Sequence, residues 1–74
     1  MKGTNELGKE SFGERLRRLR EAKGMTQTGL GMKLHTSQNM MHRYETDKTY
    51  PGALILESMA DVLGVSMDYL WKGK

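Results

Sequence analysis

Helix start and stop signals recur along this chain at such short intervals that no helix in it can be long. Ser11 is followed three residues later by Glu14, the spacing of a capping box, in which each side chain satisfies a free backbone N–H of the other. Thr26, Ser37 and Ser66 are further side-chain caps, and Pro51 closes a loop ahead of another helical stretch. Gly24 and Gly64 stand where a helix ends in a left-handed residue, a conformation that glycine adopts without steric cost. This punctuation predicts five short helices. The first follows Ser11, the second runs from Thr26 to about Leu34, and the third covers Gln38–Glu45. The fourth runs from Gly52 or Ala53 to Leu63, and the last is Met67–Trp71.

The apolar residues fall into the same segments at helical spacing. Phe12, Leu16 and Leu19 line the first, Leu30 and Leu34 the second, and Met41 and Tyr44 the third. Leu56, Met59, Ala60 and Leu63 line the fourth. No stretch alternates as a strand does. The expected fold is therefore all-α, a compact five-helix domain over residues 11–74. Residues 1–10 carry two glycines and no periodicity, and they read as a flexible N-terminal arm.

At 74 residues the chain holds one small core and no room for an enclosed substrate cleft. It lacks cysteine, which excludes disulfides and thiolate metal sites. Its two histidines, His35 and His42, lie seven apart across a helix start and do not pair as ligands; no cofactor or metal is expected. Ser, His and Asp occur at no spacing that suggests a triad, and no strand leads into a glycine-rich phosphate loop. Enzymatic activity is not expected. The polar start is no signal peptide, and the apolar runs are too short to span a bilayer. Met25, Met41 and Met59, of seven methionines, read as core filler. The charge is uneven: residues 1–50 hold ten Lys and Arg against six Asp and Glu, whereas residues 51–74 hold two against three. Arg15, Arg17 and Arg18 point in different directions on a helix and read mostly as a solvated face.

The second and third segments carry the functional signal. Joined by only His35 and Thr36, they must cross steeply, and Gly31 is the small residue where the backbones meet. Gly29 and Gly31 each cost about 1 kcal/mol of helix propensity relative to Ala, which points to something packed against them. The third segment then presents Gln38, Asn39, His42 and Arg43 outward, a polar face of the right size for the major groove of DNA.

The stretch from Thr26 to Glu45 resembles the helix-turn-helix of the lambda-repressor/Cro-like, or XRE, family. Arg15–Arg20, Pro51 and Leu63–Leu70 resemble that family's first helix, fourth-helix proline and closing motif. The resemblance covers about residues 11–73. It implies a sequence-specific transcriptional regulator of phage-repressor type, which binds double-stranded DNA in the bacterial cytoplasm as a homodimer on a palindromic operator. By position it implies that Gln38, Asn39, Arg43 and Met40 read bases. Gln27, Thr26, Ser37, Thr46 and Lys48 would contact phosphates, and Arg20 and Glu45 would form a structural ion pair. The last residues, Asp68–Lys74, resemble the passage of a two-domain repressor into its linker. His35 and Asp47 stand where the family has glycine, Gly31 where it has Ala, and Gly29 where it has an acidic residue. Two other readings stay open: an antitoxin that binds both operator and toxin, and an interaction module that has lost DNA binding. The second draws on His35 and on the negative charge of Asp47 near the expected phosphate path.

Overall fold

The structure is a computed structural model, and it describes residues 9–74. Most of the expected arm, residues 1–8, lies outside the described residues. Five helices and no strand occur among the described residues: α1 Phe12–Ala22, α2 Gln27–Lys33, α3 Gln38–Glu45, α4 Ala53–Leu63 and α5 Met67–Lys72. The caps behave as the sequence predicts. The Glu14 N–H donates to the Ser11 hydroxyl while the Ser11 N–H donates to the Glu14 carboxylate, so the capping box is complete. Thr26, Ser37 and Ser66 accept from the N–H groups of Gly29, Met40 and Tyr69. α4 begins at Gly52 without a side-chain cap and ends at left-handed Gly64.

The core draws on every helix: Phe12 and Leu16 from α1, Leu30 and the adjoining Leu34 from α2, Met41 and Tyr44 from α3, Met59, Ala60 and Leu63 from α4, and Leu70 from α5. Leu19, Met25 and Leu56 are half-buried against it. α3 packs against both α1 and α2, while α5 is held against α1 and α4.

Two glycines set how close the helices come. A Cβ on Gly31 would lie 2.9 Å from the Thr36 carbonyl oxygen and 3.3 Å from Met41, so the turn between α2 and α3 folds tightly back on α2. Gly13 is under still more pressure: a Cβ there would lie 2.5 Å from the carbonyl oxygen of Glu45. The first turn of α1 thus rests directly on the last turn of α3. Gly29 departs from expectation, since a Cβ there would meet only the hydroxyl of its own cap, Thr26, at 3.1 Å.

The arginines of α1 also differ from a solvated face. Arg15 is buried, and its guanidinium donates to the carbonyls of Leu70 and Glu10. Arg18 makes two hydrogen bonds to the Glu10 carboxylate, at 2.6 and 3.0 Å, and a third to the Tyr69 hydroxyl. The helical spread that suggested dispersal aims these two at α5 and at the residue ahead of Ser11. Glu10 is consequently fixed against α1.

Candidate nucleic-acid interface

α3 is short and held on one side only. Met41, Tyr44 and Glu45 are buried, whereas Gln38, Asn39, His42 and Arg43 are exposed. Its inner end is fixed by charge. Arg20 reaches across from α1 and donates to both oxygens of Glu45, at 2.6 and 3.0 Å, and to the Met25 carbonyl at 2.7 Å. The two side chains are 9% and 2% exposed. The bond to Glu45 holds the guanidinium more firmly protonated than usual, against the opposing effect of burial. Removing one partner of such a pair strands a buried charge and costs about 3–5 kcal/mol.

Glu45 extends this network to α2 by accepting from the side-chain amide of Gln27 at 3.1 Å. One carboxylate therefore ties together α1, the start of α2 and the end of α3. Gln27 keeps a second amide proton free for an anion. Beyond it a solvent-open hollow of about 480 Å³ has Arg17, Thr26, Gln27, Thr28, Gln38 and His42 in its wall. A neighbouring hollow of about 280 Å³ is lined by Gln27, Gln38, Asn39 and His42. The first turns of α2 and α3 contain no acidic residue, while those of α1 and α5 contain Glu14 and Asp68. The side that bears the polar face of α3 is thus free of carboxylates at the two helix starts where an anion is most favourably placed.

The remaining residues implied by the resemblance are placed as follows. Thr26 and Ser37 are exposed, and their hydroxyls accept from the helix, which leaves each O–H free to donate outward. Lys48 is exposed. The Thr46 hydroxyl instead donates to the His42 carbonyl at 2.8 Å, so its proton closes the last turn of α3 and none is left for a phosphate. Met40 is half-buried and packs against the core, not with the outward row of Asn39 and Arg43.

Asp47 also has a different role from the one its charge suggests. Its carboxylate accepts from the Ser11 hydroxyl at 2.6 Å and from the Gly13 N–H at 3.0 Å. The negative charge is therefore turned inward onto the start of α1, where the helix dipole favours it. Asp47 and His35 both occupy the left-handed region, with φ of 60° and 58°. The backbone geometry that glycine would provide at these two turns is kept without glycine.

The helix-turn-helix domain family profile matches residues 11–70. Among curated relatives, the SPbeta prophage-derived HTH-type transcriptional regulator YonR of Bacillus subtilis (strain 168) is 37% identical over 62 residues, 84% of this chain and 57% of YonR. The HTH-type transcriptional regulator YazB of the same strain is 38% identical over 61 residues, 82% of this chain and 88% of YazB. This chain thus spans little more than half the length of YonR. Among solved structures, the P22 c2 repressor in complex with synthetic operator 9T superposes with a TM-score of 0.84 at 31% identity, covering 88% of this chain and 98% of that one. SinR, a master regulator for biofilm formation, in complex with DNA gives 0.73 at 28% identity, covering 80% and 95%. The fold is that of the lambda-repressor-like domains, and the chain belongs to the helix-turn-helix domain family.

Proposed function

We propose that this chain is a sequence-specific transcriptional regulator of repressor type that binds a palindromic operator as a homodimer. The observation that carries the reading is the one-sided burial of α3. Its inner face is fixed by Met41, Tyr44 and the Glu45–Arg20 pair, and Gln38, Asn39 and Arg43 stand free on the outer face. Asn and Gln pair bidentately with adenine, and Arg with guanine O6 and N7. Gln27, Thr26, Ser37 and Lys48 flank that face and would position the phosphate backbone. The similarity to two regulators solved in complex with DNA supports the same reading.

Dimerisation is proposed through the ring cluster beside the start of α1. Phe12, Tyr50 and Trp71 form a triangle of rings with centroids 5.2 to 5.8 Å apart. Phe12 is buried, but Tyr50 and Trp71 are 50% and 42% exposed, and Leu54, in the first turn of α4, is 79% exposed. A palindromic operator of this kind needs the two α3 helices about 34–36 Å apart, one turn of DNA, and a two-fold contact at the cluster would have to meet that spacing. The site of action would be the bacterial cytoplasm. With Asp47 committed to α1, the reading as an interaction module without DNA binding loses its main support.

Selection from a randomised duplex pool, followed by a salt titration, tests the proposal. The expected outcome is a palindrome whose binding constant falls with salt at a log–log slope of about −5, as for six phosphate contacts. Arg43→Ala should cost about 1–3 kcal/mol and relax preference at one base pair per half-site, while Lys48→Ala weakens all sequences alike. A pool that yields no enriched sequence and no salt-dependent binding overturns the proposal.

A further inference from the structure

His42 is absent from the set of base-reading positions that the resemblance implies, yet its setting is that of a reader. At about 100° per residue, the buried side of α3, marked by Met41, Tyr44 and Glu45, lies opposite Asn39 and Arg43. His42 falls about 70° from that outward direction and Met40 about 90°, on the other flank. Burial separates the two further. His42 is exposed, whereas Met40 packs against the core. On its own flank His42 borders both hollows described above. The smaller one is lined wholly by hydrogen-bonding side chains, with Gln27, Gln38 and Asn39 beside the imidazole. No carboxylate lines either hollow, so no negative side chain in the wall opposes an electronegative occupant. Of the cations that border the larger one, Arg17 is paired with Glu21 at 3.1 Å and Arg20 with Glu45, which also accepts from Gln27.

We infer that His42 is a further specificity-determining residue of α3, whose ring N–H donates to a purine edge of the DNA within the hollow it shares with Gln38 and Gln27. An imidazole always carries at least one N–H donor. Guanine N7 and O6 and adenine N7 are the purine acceptors in the major groove. The contact is single, unlike the bidentate fork of Arg43, and it adds a fourth polar reader to Gln38, Asn39 and Arg43 in place of Met40. This inference rests on the proposed DNA-binding function.

The test is selection from a randomised duplex pool by the parent, His42→Ala and Met40→Ala, with unfolding midpoints as controls. His42 is exposed, so its truncation should leave the midpoint within about 4 °C of the parent. The expected result is that His42→Ala relaxes the preference at one purine per half-site, lowers affinity for the parental site about three- to tenfold, and leaves the other positions unchanged. Replacing that purine by its 7-deaza analogue, which lacks the N7 acceptor, should weaken the parent by a similar factor and His42→Ala hardly at all. The inference is overturned if the parent selects a site and His42→Ala selects the same site with unaltered preferences. It is also overturned if affinity falls uniformly across sequences, as for a phosphate contact, or if Met40→Ala and not His42→Ala relaxes a position. Failure of the parent itself to select any site would instead overturn the proposed function, so the two failures are distinct.

Discussion

Two residues in this chain have the same unusual backbone and opposite consequences. His35 and Asp47 both sit at φ near 60°, where a Cβ costs about 1–2 kcal/mol. His35 is exposed, and no side-chain hydrogen bond holds it among the described residues. His35→Gly should therefore raise stability by about 1 kcal/mol, a gain of about 4–8 °C in Tm for a domain of this size. Asp47→Gly relieves the same strain but removes the acceptor for Ser11 and Gly13. Hydrogen bonds to a charged group contribute about 1.5–3 kcal/mol each, so the net effect is a loss of about 1 kcal/mol or more. Calorimetry on the two variants checks the pair. A rise for both would show that the Asp47 carboxylate contributes nothing. The sequence displays Asp47 as a charge in a loop. It does not display the partner 36 residues away that turns the charge inward, nor the partners of Arg15 and Arg18 at Leu70 and Tyr69.

At the scale of the helices, the local signals were enough to place every element. Ser11, Thr26, Ser37 and Ser66 all cap as their spacing predicts, because a cap is made with an N–H three residues away. The packing between helices was legible only at Gly31, where the shortness of the connection forces the backbones together. Gly13 and Gly29 look alike in the sequence and differ in space. Gly29→Ala meets only its own cap, at 3.1 Å, and should stabilise α2 by about 0.5–1 kcal/mol through propensity where the Thr26 hydroxyl gives by a few tenths of an ångström and keeps its bond to the residue 29 N–H. Gly13→Ala drives a methyl into the Glu45 carbonyl and should destabilise by about 1–3 kcal/mol, as overpacking does. Chemical denaturation of both variants separates these effects by sign. On the outward side of α3, the exposure of Gln38, Asn39 and Arg43 was legible. The committed proton of Thr46 and the half-burial of Met40 were not, since both depend on how α3 is seated.

For the molecule as a whole, two contacts outside the helix-turn-helix govern its response to conditions. The Arg18 hydrogen bond and the charges of Arg18 and Arg15 hold the Glu10 carboxyl below its ordinary value of 4.5, against the opposing effect of burial. A depressed carboxylate contributes stability that is complete above 4.5 and is lost as the pH falls from there through the lowered value. Glu10→Gln should accordingly be less stable than the parent at neutral pH and converge with it in acid. Parallel unfolding curves at every pH would contradict this. The exposed ring cluster is where the proposed dimer would form. Leu54→Lys changes a side chain that the single chain leaves in solvent, so the fold should persist, and if the proposed dimer uses this face it should dissociate at concentrations where the parent would remain paired. Analytical ultracentrifugation reads the difference, and an unchanged dimer would remove this end of the molecule from the interface.

The latch between Asp47 and the start of α1 also bears on the order in which the chain acquires its shape. Ser11 and Gly13 meet Asp47 across 36 and 34 residues, and the intervening segment contains all of α2 and α3. Closing a loop of about 34 residues forfeits about 3 kcal/mol of chain entropy. The contacts of α2 with α3, separated by a short turn, form at far smaller entropic cost and come first. On this order the latch would close late, after the rate-limiting barrier, as a clasp on an object already assembled. Its loss in Asp47→Gly should appear as faster unfolding at an almost unchanged folding rate. The turn that follows α3 would thus bear on how long the folded domain survives between openings.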